Sequence, residues 1–178
     1  MAGPEHGSAT IRLLHRSDAE ALRALRLEAL ASSPLAFSSS YEEEAARPLE
    51  IFRVRMPDDG RSAIFGAFLD ETLVGMAGFA ANDRIKQRHK GTLWGVFVRP
   101  QCRGRGMGKR LVKTVIAHAA KHVRMLHATV VANNVDARRM YQRLGFVPYG
   151  LERDGLCVDG VYHDEELLAL ALHGPPVA

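Results

Sequence analysis

The chain predicts a mixed α/β (α+β) fold, and three observations carry that reading. "SAIFGAFLDETLVGMAGFAAN" reads as two apolar strands joined by a turn around Asp70 and Glu71. "GTLWGVFVRP", 91 to 100, is a third strand that runs directly into a glycine-rich turn and a helix. "MLHATVVA", 125 to 132, has strand composition again and precedes another helix, so the sequence contains both hairpins and βαβ crossovers.

Taken in order, Ile11 to Leu14 form a short apolar strand. Ser17 and Glu20 have the spacing of a capping box, which would satisfy free backbone donors at the start of a helix. Leu22, Leu25 and Ala29 then recur at helical intervals, Leu30 widens the stripe, and Pro34 marks the exit. A weaker helix spans about Tyr41 to Arg55, interrupted near Pro48. After the hairpin and the strand stopped by Pro100, Met107, Leu111, Val112, Val115, Ile116 and Ala119 make the apolar stripe of a helix that starts in or just after the glycine turn. "NVDARRMYQRLGF", 134 to 146, is a short helix with Ala137, Met140, Tyr141 and Leu144 on one side, and Gly145 suits its left-handed exit. The segments around Phe146 to Leu151 and Val161 to Leu172 close the sheet as a terminal hairpin, bringing the strands to seven. Residues 8–172 read as one domain, with 1–7 and 173–178 as loose tails.

Composition narrows the function. A chain of 178 residues that is 47% hydrophobic can bury a sizeable core. No run approaches the roughly 18 apolar residues of a membrane span, and "MAGPEHGSAT" lacks the features of a secretory signal, so a soluble cytoplasmic protein without membrane partners is expected. Cys102 and Cys157 are too few and too separated for a disulfide framework and read as structural thiols. No His, Cys and carboxylate set has metal-ligand spacing, so no metal is expected. The formal charge of +4 favours anions as a class, whether nucleic acid, acidic protein or a phosphorylated small molecule.

"RGRGMGKRLV", 103 to 112, sharpens that choice. A nucleotide-hydrolase loop would need a hydroxyl after Gly108 and Lys109, where Arg110 stands. A dinucleotide fingerprint would need G-x-G-x-x-G and an acidic residue after the next strand; Gly104, Gly106 and Gly108 give G-x-G-x-G, and the acid is missing. The physical capacity of the turn is plain nonetheless. Three residues without Cβ let an anion approach the backbone, and the emerging helix aims its unpaired N–H groups at the same point. A pyrophosphate suits that arrangement, with Arg103, Arg105, Lys109 and Arg110 adding charge; an ordinary strand-to-helix loop with a solvated basic face is the plainer alternative.

The turn followed by "NNVDARRMYQRLGF" resembles the GCN5-related N-acetyltransferase (GNAT) family. The family's coenzyme motif is matched by Arg103-Gly104-Arg105-Gly106-Met107-Gly108, and its second signature by Asn134, Ala137, Tyr141, Gly145 and Phe146. The resemblance extends over most of 10 to 172. It implies a central, mostly antiparallel sheet of about seven strands, splayed between the fourth and fifth and flanked by about four helices. It also implies acetyl-CoA as co-substrate. The backbone of Val96, Phe97 and Val98 would hold the pantetheine arm, and that of Arg103, Gly104, Arg105, Gly106, Met107, Gly108 and on to Lys109 the pyrophosphate. Asn134 and Ala137 would lie at the coenzyme, although Asn134 reads equally as a helix N-cap, with Asn133 as an alternative. Tyr141 would protonate the departing thiolate as the catalytic acid; packing on the helix stripe is its other reading.

The implied reaction is transfer of acetyl to a primary amine of a small molecule or peptide, by direct attack. Relatives carry a Glu on the strand before the turn, but "GTLWGVFV" has no carboxylate, which leaves the base open among His127, Glu165, Glu166, Glu43, Glu44 and water. Trp94 and Phe79 are candidates for the acceptor pocket or for ordinary sheet packing. A coenzyme-binding domain without turnover is the competing function. Nucleic acid is not expected, since the basic residues come without a stacking platform of aromatics. A homodimer is compatible with the resemblance.

Overall fold

In the computed structural model, which describes residues 9–172, the chain runs β1 (Thr10–Leu13), α1 (Ala19–Ser32), α2 (Tyr41–Ala45), α3 (Leu49–Val54), β2 (Ala63–Leu69), β3 (Thr72–Ala81), β4 (Lys90–Val98), α4 (Met107–Ala119), β5 (Met125–Val131), α5 (Val135–Arg143), β6 (Val147–Val158) and β7 (Val161–Ala171). The tails expected at 1–7 and 173–178 lie outside the described residues. The seven strands form one sheet in the order β1-β2-β3-β4-β5-β7-β6. Every neighbouring pair is antiparallel except β4 with β5. The mixed α/β expectation is met, and the segment expected as one interrupted helix, 41 to 55, is divided at Pro48 into α2 and α3, giving five α-helices among the described residues.

Turn chemistry sets the register. Asp70 and Glu71 both take left-handed φ, 45° and 66°, as a two-residue primed hairpin turn requires. Asp159 and Gly160 repeat the device between β6 and β7, at 52° and 76°. Alternation along the strands then sends Phe65, Ala67 and Phe79 to one face, with Met107, Leu111, Val112 and Val115 of α4, and Ile64, Phe68 and Met76 to the other, with Leu22, Leu25 and Ala29 of α1. Helices therefore cover both faces of the sheet.

Two local expectations are corrected. Ser17 and Glu20 do not cap α1; its N-cap is Asp18, whose carboxylate instead accepts from the His15 N–H at 2.8 Å and from the Arg12 guanidinium at 2.8 Å. Ser17 lies inside a short 3-10 turn, Arg16–Asp18, that leads into α1, so it does not occupy the cap position the box needs. The capping box lies at Ser40 and Glu43, opening α2. Cys102 is buried, whereas Cys157 is exposed on β6, so only the first is a packing thiol.

A buried ion cluster ties α1 to α2 and α3. Glu44 on α2 is 1% exposed and accepts two hydrogen bonds from Arg55, at 2.9 and 3.0 Å. Arg26 of α1 approaches the same carboxylate to 3.8 Å. Burial alone would raise the Glu44 carboxyl, but the Arg55 hydrogen bonds and the charges of Arg55, Arg26 and Arg47 outweigh it and hold the group below its ordinary range. Removing the carboxylate would leave two guanidinium groups facing each other in a dry setting. Glu44→Ala is expected to lower unfolding free energy by about 3 kcal/mol in denaturant titration. Because the folded value is depressed, this stabilisation is present above the ordinary carboxylate pKa and is lost as pH falls through the folded one, so the wild type and Glu44→Ala curves should converge in acid.

Candidate functional site

A cleft opens where β4 leaves β5. The two strands pair at Lys90 with Met125, Gly91 with Leu126 and Thr92 with His127, and no further, although β4 runs on to Val98 and β5 to Val131. A β-bulge on the other side of β4 drives the separation. Gly78 pairs with Trp94 and Met76 with Phe97, so Gly95 and Val96 together oppose Ala77, and Gly95 takes the left-handed φ of 64° that such a bend needs. Trp94 packs where Gly78 lacks a side chain; a Cβ there would sit 2.3 Å from the indole. The cleft measures about 830 Å³ and is walled by Thr92 to Val96, Thr129 to Val131, and Asn134, Ala137, Met140 and Tyr141 of α5. Arg26, Phe37, Glu44 and Arg55 also line it, as do Glu152 and Glu165, the latter paired with Val131 of β5.

The splayed pair expected between the fourth and fifth strands is therefore present, and it leaves the edge of β4 at Val96, Phe97 and Val98 without a strand neighbour on the β5 side. Side chains on this edge divide: Val96 lines the cleft, while Phe97 and Val98 are buried in the cores on either face of the sheet. Neither of those two side chains is available to a ligand, and the Val98 C=O already accepts from Arg103 Nε at 2.9 Å.

At the end of β4 the glycine turn leads into α4. Gly104 and Gly106 have φ of 78° and 73°, and a Cβ on either would meet nothing within 4 Å. Gly106 is the N-cap, and the first helical bond runs from Arg110 N–H to Gly106 C=O at 3.0 Å. The amides of Met107, Gly108 and Lys109 are thus left without helical partners. Gly108 is different from the other two: it is helical, and a Cβ would make only ordinary contacts, 3.9 Å from Met140 and Val98. Arg103 already makes contacts of its own. Its N–H donates to Pro100 C=O at 3.1 Å and its Nε folds back to donate to Val98 C=O at 2.9 Å, which leaves the outer guanidinium nitrogens exposed. Arg110 likewise reaches away, to Ala9 C=O at 3.0 Å.

α5 brings Tyr141 to the cleft. Asn134 is its N-cap, the side chain accepting from Ala137 N–H at 3.2 Å, so the capping reading accounts for that side chain. The other end closes with Gly145 at φ 92°, its N–H on Gln142 C=O and the Phe146 N–H on Tyr141 C=O, at 3.0 and 3.1 Å. This paired exit, together with the Phe146 ring 5.4 Å from the Tyr141 ring, fixes the tyrosine backbone and ring plane. The ring is 6% exposed, and burial pushes the phenol up to about 12.

The carboxylates that look equivalent in sequence have different fates. Glu43 is spent on the α2 cap and Glu44 on Arg55. Glu166 is gripped by Arg138 through two hydrogen bonds of 2.9 Å. Glu165 faces the cleft beside Glu152, its cross-strand partner, and burial and then the Glu152 charge raise it above the usual carboxylate range. His127 lies with its ring 5.5 Å from that of Tyr149, tilted at 42°, and is not among the cleft-lining residues. Trp94 and Phe79 both line the cleft, Phe79 as a core residue as well. Among the described residues no group of three His, Cys, Asp or Glu is placed to hold a metal.

Arg26, Arg55, Gly95 and Glu152 were not identified from the sequence. A glycine inside the strand "LWGVFV" is a bulge signal. Arg26 stands at a stripe position of α1, four residues after Leu22 and three before Ala29, where a solvated arginine would not be placed.

Comparison with known proteins agrees with this geometry. The chain is 30% identical to the spermine/spermidine N(1)-acetyltransferase of Bacillus subtilis over 86 residues, 46% of this chain and 57% of the relative. It thus spans little more than half the length of that curated relative. A GNAT-family acetyltransferase from Streptococcus pneumoniae superposes with a TM-score of 0.80 at 26% identity, covering 93% of this chain and all of the other. YncA of Salmonella typhimurium, solved with its cofactor acetyl-CoA, shares the fold with a TM-score of 0.80 at 19% identity, over 97% of this chain and 99% of its own. The profile of the acetyltransferase (GNAT) family matches residues 24–146, and with the parted strands and glycine turn already described, the chain belongs to that family.

Proposed function

We propose that this chain is an acetyl-CoA-dependent N-acetyltransferase, carried by one domain over 8–172, that acetylates a primary amine of a small molecule or peptide. One observation carries the reading: the bulged, unpaired end of β4 lines a cleft together with a buried tyrosine of α5, and the same strand leads directly into a set of open helix-start amides. The residues fit the co-substrate. Gly104 and Gly106 leave open space above the turn, and the amides of Met107, Gly108 and Lys109 offer donors for a pyrophosphate. The β4 edge at Val96 to Val98 offers main-chain groups to an extended amide-bearing arm, as a neighbouring strand would. Acetyl-CoA would supply an acetyl group activated as a thioester.

The chain's own groups then divide the proton work. Glu165, raised above the ordinary carboxylate range, is a better proton acceptor than a solvated Glu and receives the proton of the acceptor ammonium. Tyr141, with its phenol at about 12, stays protonated across the neutral range. Full proton transfer from it to an ordinary thiolate would be uphill by roughly 5 kcal/mol. Its role is accordingly narrower than that of a proton source: the hydroxyl donates a hydrogen bond to the sulfur as negative charge collects there.

Thiol release from acetyl-CoA over a panel of amines tests the reading. Tyr141→Phe, which keeps the ring and its packing, is expected to lower kcat by about 10²-fold with acetyl-CoA affinity unchanged. Equal turnover removes Tyr141 from this role. Since Glu165 acts in its ionised form, kcat/KM should rise with pH through a limb above the usual carboxylate range, and Glu165→Gln should lower the plateau and abolish that limb. Gly108→Ala should leave melting temperature unchanged or raised, because alanine suits a helix better by about 1 kcal/mol, yet weaken acetyl-CoA binding in calorimetry. Unchanged binding would move the phosphates elsewhere.

A further inference from the structure

Arg26 is a buried cation without enough partners. It sits on the buried side of α1, 6% exposed, and its Nε and Nη1 have no hydrogen-bond acceptor among the described residues. Nη2 donates weakly to Ser39 Oγ at 3.3 Å and stands 3.8 Å from Glu44, too far for a hydrogen bond. Glu44 itself is already engaged by Arg55 at 2.9 and 3.0 Å. The cluster of Arg26, Arg55 and Glu44 therefore holds one positive charge in excess, and Arg47 adds to the field. Burial first, then the neighbouring arginines, lowers the Arg26 guanidinium to about 10 in spite of Glu44.

An arginine in that state is unfavourable unless something answers it. Unpaired buried charge carries a penalty of several kcal/mol, and buried donors in native proteins almost always find an acceptor. The position of the orphan atoms shows where the acceptor would sit. Phe37 covers one face of the guanidinium, with Cζ 4.4 Å from the ring centre. Nη1 points to the β4 bulge: a Cβ built on Gly95 would lie 3.7 Å from it and meet nothing else within 4 Å. Arg26 and Gly95 both line the cleft that Tyr141 lines. The same cleft carries Glu152 and Glu165 as a facing carboxylate pair, which disfavours itself unless a cation lies near.

Resting on the acetyltransferase reading above, we propose that the acceptor bears an acidic group as well as its amine, as an amino acid does, and that Arg26 holds that acidic group at the Gly95 bulge while Glu152 and Glu165 receive the amine. The planar fork of a guanidinium matches a carboxylate or phosphonate bidentately, which a lysine would not. A purely cationic acceptor would meet Arg26 as a like charge.

The test needs no turnover. The full chain, saturated with CoA, is titrated calorimetrically with the standard L-amino acids, their C-terminal amides, 2-aminoethylphosphonate and spermidine; acetyl-CoA binding is measured on the same protein. At least one acid-bearing amine should bind about 10- to 100-fold more tightly than its amide counterpart. Arg26→Gln should erase that ratio, and Arg26→Lys, which keeps the charge if the glutamine form fails to fold, should shrink it while acetyl-CoA binding stays intact. Equal binding of acids and amides, no binding by any acid-bearing member, a preference for spermidine, or a ratio that survives in Arg26→Lys overturns the proposal while leaving the acetyltransferase reading in place. A wild-type chain that binds no acetyl-CoA overturns both.

Discussion

Hydrogen bonding between β4 and β5 stops after Thr92 and His127, and the rest of the site follows from that stop. A parallel pair carried to the ends of both strands would satisfy its backbone and leave no cleft. Here the bulge at Gly95 and Val96 bends β4 away, and the indole of Trp94, seated on Gly78, holds the strand in the bent register. The edge of β4 that remains is a row of main-chain groups without a strand partner, and such groups are unfavourable when kept from water. A ligand that itself carries amides relieves this. The parting thus leaves the sheet unfinished along this edge.

The elements around the parting are stiff where the chemistry requires position. α4 is anchored by Leu111, Val112 and Val115 in the core, so the free amides at its start point along a fixed axis. α5 is only nine residues long, yet its two ends are each tied, by Asn134 at the start and by Gly145 at the exit. Tyr141 consequently has little freedom of ring position. Its burial makes it a poor acid and a durable hydrogen-bond donor, two faces of the same desolvation.

Much of this was legible in the sequence because it is written in local rules. The turn at Asp70 and Glu71, the apolar stripe from Met107 to Ala119 and the left-handed exit at Gly145 are each decided by neighbours within a few residues. What was not legible depends on partners far along the chain. Ser17 and Glu20 have the right spacing for a cap, but a 3-10 turn over Arg16–Asp18, with Asp18 held by Arg12 and the His15 N–H, moves the cap to Asp18. Glu165 and Glu166 are adjacent in sequence and opposite in state, since strand alternation gives one to Arg138 and the other to the cleft. Gly104, Gly106 and Gly108 look alike in the motif, yet backbone conformation demands the first two and only close approach of a ligand would demand the third. Arg103, the most motif-like of the basic residues, spends its side chain on Val98 C=O.

The family match ends at Phe146, before β6 and β7 begin, and so before Glu152 and Glu165. Two of the residues proposed to meet the acceptor therefore lie outside the stretch that identifies the family. A shared coenzyme turn constrains the donor end of the cleft, because phosphates and amides are common to every acyl-CoA; it places no constraint on charge at the acceptor end. That charge is set in this chain by one guanidinium left over from an ion cluster and by two carboxylates facing each other across a strand pair. A cleft with a guanidinium beside the β4 bulge and a carboxylate pair on β6 and β7 would discriminate by the separation of charges in its ligand rather than by their sum, which is the basis for proposing an amine with an acidic neighbour.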